Sequence, residues 1–195
     1  LIGRVVPIKD VKSYIMACDI LRKKFPDLLA YVLGPTDEDT TYFQECLEMV
    51  NFLNLNETVI FTGRVQIKDY LEHIEVNVLT SISEGQPLVI LELAAVGIPS
   101  VATNVGACAE LILGNPLEFP KLKPGGAVTP LSNPAATAKE VGELLTDSFW
   151  HQQCSQACKE RVLKYYNKPD LIRRYRDLYQ NYLQNDPIPQ TLEVG

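Results

Sequence analysis

The chain has 195 residues, 46% of them hydrophobic, and a formal net charge of −6. That length can bury a sizeable core, and one large domain is expected rather than two small ones. The acidic balance, with no dense basic patch, argues against a nucleic-acid binder but leaves room for one diphosphate, which needs only one or two cations. No apolar run reaches the roughly 18 residues of a membrane span, and no signal peptide opens the chain. The five cysteines, Cys18, Cys46, Cys108, Cys154 and Cys158, are scattered. They read as buried free thiols and point to a reducing, cytoplasmic setting. The chain begins at Leu1 without Met and reads as a piece of a longer protein.

Leu1-Ile2 reads as the end of a strand, followed by a loop with Arg4 and Lys9 at its two ends. Asp10 can cap a helix with Val11, Tyr14, Ile15, Cys18, Leu21 and Phe25 on one face, ending before Pro26. Residues 29–33 form a short apolar strand closed by Gly34-Pro35, and residues 39–53 a second helix. A strand over 58–62 closes at Gly63, and a short helix over 67–74 leads to a strand over 76–80. Residues 87–96 make an apolar helix stopped by Gly97, then come a strand over 98–102 and a helix over 107–113. Residues 115–126 read as a surface loop. Helices over 133–146, 147–166 and 169–183 follow, and the tail with Pro187 and Pro189 is expected to fray. Strands alternating with helices predict an α/β fold, a Rossmann-like doubly wound parallel sheet with extra C-terminal helices. Continuous apolar strands fit a sheet covered on both faces.

Ligands of such sheets bind in the crevice outside the carboxyl ends of the strands. The loops on that edge gather most of the region's glycine and polar residues. Gly3 permits close backbone approach, and Arg4 with Lys9 can clamp a diphosphate, one as a fork of donors and the other as a point charge. The plainer reading is two solvated surface cations. In Ser83-Glu84-Gly85-Gln86-Pro87-Leu88-Val89-Ile90-Leu91-Glu92, two carboxylates frame a turn and a helix start. Glu84 belongs to the loop and Glu92 to the helix's second turn, so both can face one crevice. A carboxylate within an apolar run is costly unless something pairs with it, and sugar and ribose hydroxyls are natural partners. A glycosidase-like acid and nucleophile pair is a second reading, and ordinary loop and helix-end carboxylates are the third. The N–H groups of Gln86, Leu88 and Val89 would stand at a helix N-terminus, which attracts anions and hydroxyl oxygens. Gly63-Arg64-Val65 can let a planar base touch the backbone and pack on Val65, or serve as a plain turn. Gly106 can open a helix near a ligand, with Glu110 a first-turn carboxylate. His73 and His151 read as a helix-surface and a helix-cap residue.

Taken together, these elements resemble the nucleotide-sugar-binding domain of retaining glycosyltransferases of family 4, which have the two-domain GT-B fold. The matches are Gly3-Arg4 with Lys9, the carboxylates Glu84 and Glu92 in EGQPLVILE, Gly97-Ile98-Pro99, and Val105-Gly106 through Glu110. GPTDEDTTYFQEC, FTGRV and ATNVGAC are more narrowly similar to PelF-type exopolysaccharide glycosyltransferases. The resemblance implies Arg4, Lys9 and Glu84 as catalytic residues. It implies a donor site of Gly3, Arg4, Lys9, Arg64, Val65, Glu84, Gly85, Gln86, Pro87, Leu88, Val89 and Glu92. Arg4 and Lys9 would grip the diphosphate, Glu84 the sugar, Glu92 the ribose, and Arg64-Val65 the base. No metal or other cofactor is implied, since the two cations do that charge work.

The domains implied are a donor-binding unit over 1–146, C-terminal helices over 147–184 and a tail over 185–195. An amino-terminal acceptor domain would be missing. The function implied is transfer of a hexose from a UDP-sugar, UDP-glucose first, to a growing extracellular polysaccharide, with synthesis-complex proteins as further partners. The isolated piece is expected to be inactive. The rival reading is a non-catalytic nucleotide-sugar-binding or assembly module. The sequence departs from the family at Leu93-Ala94, Val96 and Ala107, and Asp10 replaces a common Gly.

Overall fold

The computed structural model describes residues 1–185, so the tail expected to fray falls outside the described residues from 186 onward. Strand β1 (Ala30–Leu33) pairs in parallel with β2 (Val59–Gly63), Ala30 opposite Val59. The opening segment joins the other side of β1 through a parallel bridge between Ile2 and Leu33. A second parallel sheet has β4 (Ser100–Thr103) between β3 (Asn77–Leu79) and β5 (Gly126–Thr129). Adjacent strand residues face different apolar clusters. Val32, Val78 and Val101 enter one cluster shared by both sheets, while their neighbours Leu33, Leu79 and Ala102 enter two others. That alternation marks sheets covered on both faces, as the unbroken apolar strands predict.

Helices α1 (Val11–Arg22), α2 (Thr40–Phe52) and α5 (Pro134–Thr146) contribute to the shared cluster. α3 (Leu88–Ala95) packs on α4 (Cys108–Leu113) and α6 (Ser148–Tyr165). The local sequence supplies the helix starts. Asp10, Asp39, Asn133 and Asp147 each accept a hydrogen bond from the backbone N–H three residues on, which satisfies a first-turn donor that the helix itself cannot. Asp10 does so in a left-handed conformation, φ +45. That backbone explains why glycine is common there in the family the sequence resembles. The aspartate keeps the turn and adds the cap, with Ser13 Oγ donating to it at 2.6 Å.

One expectation changes. The region after residue 114 is not simply loop followed by helices, because Gly126–Thr129 pairs with β4 as β5. Four residues beginning at Gly126 and followed by Pro130 carry little strand signal of their own, and the pairing is decided by the neighbouring strand. The two C-terminal helices differ in burial. α6 is built into the domain, with Cys154, Ala157, Cys158 and Arg161 buried. In α7 (Lys168–Asn185), Leu171, Tyr175, Leu178 and Tyr182 are exposed. No described helix is long and apolar enough to cross a membrane.

All five cysteines are free and buried. Burial pushes the thiols of Cys18 and Cys154 up to about 12 and those of Cys46 and Cys158 to about 11. Burial raises Cys108 as well. A thiol is a nucleophile only as thiolate, and at pH 8 Cys18, Cys46, Cys154 and Cys158 are ionised to roughly one part in a thousand or less. Iodoacetamide at pH 8 should therefore leave the folded chain unmodified over times that label the unfolded chain fully. A fast-reacting thiol in intact-mass spectra of the folded protein would contradict this burial.

Candidate functional site

The loops leaving the strands' carboxyl ends are tied to one another by backbone contacts. Val5 N–H donates to Pro35 O at 2.9 Å and Gly34 N–H to Gly63 O at 3.0 Å. A Cβ at Gly34 would lie 2.1 Å from Gly3 O, so these two loops cross where only glycine fits. Farther along the edge, Ile82 N–H donates to Ile8 O at 2.8 Å and Ala107 N–H to Gly85 O at 2.9 Å. Gly106, at φ +51, sits so close beneath the next loop that a Cβ would lie 2.0 Å from Glu84 O.

Threonine hydroxyls repeat the stitching at three strand ends. Thr80 Oγ1 donates to Lys9 O and Asp10 O at 3.0 and 2.9 Å. Thr103 Oγ1 donates to Ser81 O at 2.5 Å, and Thr129 Oγ1 to Ala102 O at 3.5 Å.

On this platform Lys9 Nζ lies 2.5 Å from Glu84 Oε1, with the two side chains only 17% and 12% exposed. Lys9 passes over Gly3, where a Cβ would stand 3.5 Å from Lys9 Cε. Gly3, Lys9 and Glu84 are thus brought together from residues 75 positions apart at the ion pair. Gly85 is exposed, and a Cβ there would meet open space. Gln86 and Leu88 are exposed, Val89 half-buried, and Pro87 buried at the start of α3. Ile90 N–H donates to Pro87 O at 3.2 Å, while the N–H groups of Leu88 and Val89 before it have no acceptor one turn back in the helix. The arrangement therefore offers an ammonium, a carboxylate and a helix N-terminus along one edge.

Arg4 turns elsewhere. Its Nη1 donates to Glu38 Oε2 at 2.9 Å, with side chains 55% and 35% exposed. Arg64 Nη2 lies 3.5 Å from Asp37 Oδ1. The two arginines meet acids of the loop after β1, a segment whose charges the sequence alone leaves without an assignment. Pattern gives no signal for such contacts, since the partners lie 34 and 27 positions apart. Val65 is half-buried and packs on the cluster containing Ile2, Leu33, Leu93 and Ile98, leaving only part of its surface for a ligand.

The premise about Glu92 needs correction. Its apolar neighbours suggest a buried carboxylate, but the side chain is exposed. Leu88, Glu92, Ala95 and Val96 share an exposed stripe at helical spacing, while Ile90, Leu93 and Ala94 face inward. A run apolar all round need not be buried all round when only one face meets other elements. Glu110 accepts from Tyr166 Oη at 3.1 Å, and the phenol is pushed up to about 12, mainly by burial and then by this carboxylate. His73 is exposed, and a ring nitrogen of His151 lies 2.9 Å from Glu75 O. A cavity of about 600 Å³ opens at the strands' amino ends, lined by Leu1, Tyr14, Cys18 and Asn77 among others. None of the candidate residues lines it. No cluster of three or more His, Cys, Asp or Glu suited to a metal occurs among the described residues.

Parallel strands, helices on both faces and polar loops gathered at the carboxyl edge define an α/β domain of the kind that forms the C-terminal half of GT-B glycosyltransferases. The chain belongs to the family "Glycosyl transferases group 1", whose model matches residues 1–147. It is similar to N-acetyl-alpha-D-glucosaminyl L-malate synthase of Bacillus anthracis, 24% identical over 76% of this chain and 37% of that protein. D-inositol 3-phosphate glycosyltransferase of Paenarthrobacter aurescens is 30% identical over 56% of this chain and 28% of its own length. The chain thus spans about a third of the length of these curated relatives.

Among solved structures, a C-terminal domain of a glycosyl transferase group 1 family protein (LpcC) from Francisella tularensis superposes with a TM-score of 0.73 and 25% identity, covering 86% of this chain and 85% of that one. Anabaena Alr3699/HepE, solved with UDP and glucose, gives a TM-score of 0.81 at 18% identity, covering 92% of this chain and 47% of that one. That second likeness speaks for the fold.

Proposed function

We propose that this chain is the donor-binding half of a retaining, family 4 glycosyltransferase of PelF type, which transfers a hexose from a UDP-sugar to a growing extracellular polysaccharide in the cytoplasm. UDP-glucose is the first candidate donor. The observation that carries the reading is the Lys9–Glu84 pair, two scarcely exposed opposite charges held 2.5 Å apart at the carboxyl edge of a group 1 glycosyltransferase domain. A structural ion pair gains little there, because desolvation offsets much of the attraction. A diphosphate and a sugar hydroxyl would use both charges.

In this reading Lys9 and Arg4 meet the diphosphate and stabilise charge on the departing phosphate. Glu84 accepts from sugar hydroxyls. Gly85 and the N–H groups at the start of α3 lie against the donor. Exposed Glu92 takes the ribose, and Arg64 with Val65 bounds the base. The cations replace a metal in this scheme. An acceptor-binding domain would precede residues 1–146, and the helices after 147 would pack on this half or cross from it. Support comes from family membership, from relatives named as glycosyltransferases and from fold neighbours solved with UDP.

Calorimetric titration of the chain with UDP, GDP, UDP-glucose and uridine tests this. UDP and UDP-glucose should bind weakly but measurably, uridine more weakly still, and GDP less well than UDP. If no nucleoside diphosphate produced saturable heat, the reading would be rejected.

A further inference from the structure

The loops leaving the strands' carboxyl ends carry the cations Arg4, Lys9 and Arg64 and the carboxylates Asp37, Glu38 and Glu84. Each cation has an acid within reach: Lys9 Glu84, Arg4 Glu38 and Arg64 Asp37. The edge that would receive a polyanion is therefore charge-compensated before any ligand arrives. Asp37 and Glu38 occur side by side in the loop after β1. That loop is fixed at its root by Gly34 and Pro35, whose backbone bonds run to β2's end and to Val5.

Resting on the diphosphate reading above, we infer that Asp37 and Glu38 are a built-in counter-anion, an acidic lip that occupies the guanidinium groups of Arg4 and Arg64 in the empty site and competes with the donor's diphosphate. Their geometry suits exchange rather than permanence. Both pairs are largely open to water, and the Arg64–Asp37 separation of 3.5 Å is loose. Exposed pairs of this kind hold weakly. A diphosphate, with more charge and more acceptor oxygens, can take a guanidinium by two parallel bonds where Glu38 takes it by one. The lip then remains a few ångströms from the bound anion as a like charge. This lowers affinity for every nucleoside diphosphate, the spent one included, and so favours product release.

The test is calorimetry of this chain and of its Glu38→Gln and Asp37→Asn variants with UDP and with uridine, at two salt concentrations. Glu38→Gln should tighten UDP binding about three- to tenfold, Asp37→Asn about two- to threefold, with uridine affinity unchanged. The gain should shrink at high salt. A loss of UDP affinity in Glu38→Gln would overturn the inference, because the acid would then be positioning Arg4 for the ligand. Equal affinities in wild type and both variants would overturn it as well, and so would an equal gain for uridine. If wild type and variants alike failed to bind UDP, the donor reading itself would fail and take this one with it.

Discussion

On the donor-binding reading proposed above, a Lys9→Ala variant of the whole protein should transfer sugar more than about tenfold more slowly than the wild type, with a larger loss in kcat than in KM. Two effects act together. The ammonium that would face the departing diphosphate disappears, and Glu84, only 12% exposed, loses the partner 2.5 Å away. Without that ion pair the carboxylate is no longer held in place, so its use as a hydroxyl acceptor suffers too. Lys9→Arg separates the contributions. It restores a cation for Glu84 and should recover part of the rate, although a planar fork does not replace a compact point charge. Initial rates of UDP release with acceptor present, alongside melting curves, check the prediction. Wild-type turnover by a well-folded Lys9→Ala protein would remove Lys9 from the chemistry.

An Arg161→Met variant should lose about 3–5 kcal/mol of stability, because it strands a buried carboxylate. Arg161 is 1% exposed on α6. Its Nε and Nη2 donate to the two oxygens of Glu118 at 2.9 and 3.2 Å, and further bonds reach Ile112 O and Lys123 O. The fork thus nails the 114–125 loop to α6. Gly114 belongs to the same device, since a Cβ there would lie 2.1 Å from Glu118 Oε2. At this chain length the loss corresponds to a fall in Tm of roughly 6–20 °C. The double variant Arg161→Met/Glu118→Leu should be more stable than Arg161→Met alone, since no charge is then left without a partner. Urea melts of the four proteins give the coupling directly. Additive losses would show that the pair is not coupled.

The two predictions sit at opposite ends of what the sequence discloses. Lys9 and Glu84 stand beside glycines and turn signals at strand ends, and an open parallel sheet presents those ends as one edge. That both belong to the loop edge was therefore legible before any coordinates, but their direct ion pair was not. Helices were legible too, because Asp10, Asp39, Asn133 and Asp147 write their caps into the local sequence. Glu118 and Arg161 are 43 positions apart and carry no periodic mark. Each alone looks like an ordinary surface charge, and only the fold removes both from water. β5 escaped for a related reason: its pairing is imposed by β4 rather than by GAVT itself. Glu92 misled in the other direction. Apolar neighbours in sequence say nothing about which side of α3 is covered.

The threonines closing β3, β4 and β5 have a consequence for how this edge would meet a ligand. Each hydroxyl fastens the chain end to the strand or loop beside it, so the main-chain scaffold is already assembled when nothing is bound. An incoming molecule would spend its contacts on quieting a few side-chain rotors, chiefly those of Arg4, Arg64 and Gln86, and almost none on freezing backbone. Recognition at such a rim is closer to a key meeting a cut lock than to a glove shaped by the hand. Differences in selectivity among chains built this way would then be written in the tips of the side chains rather than in the paths of the loops.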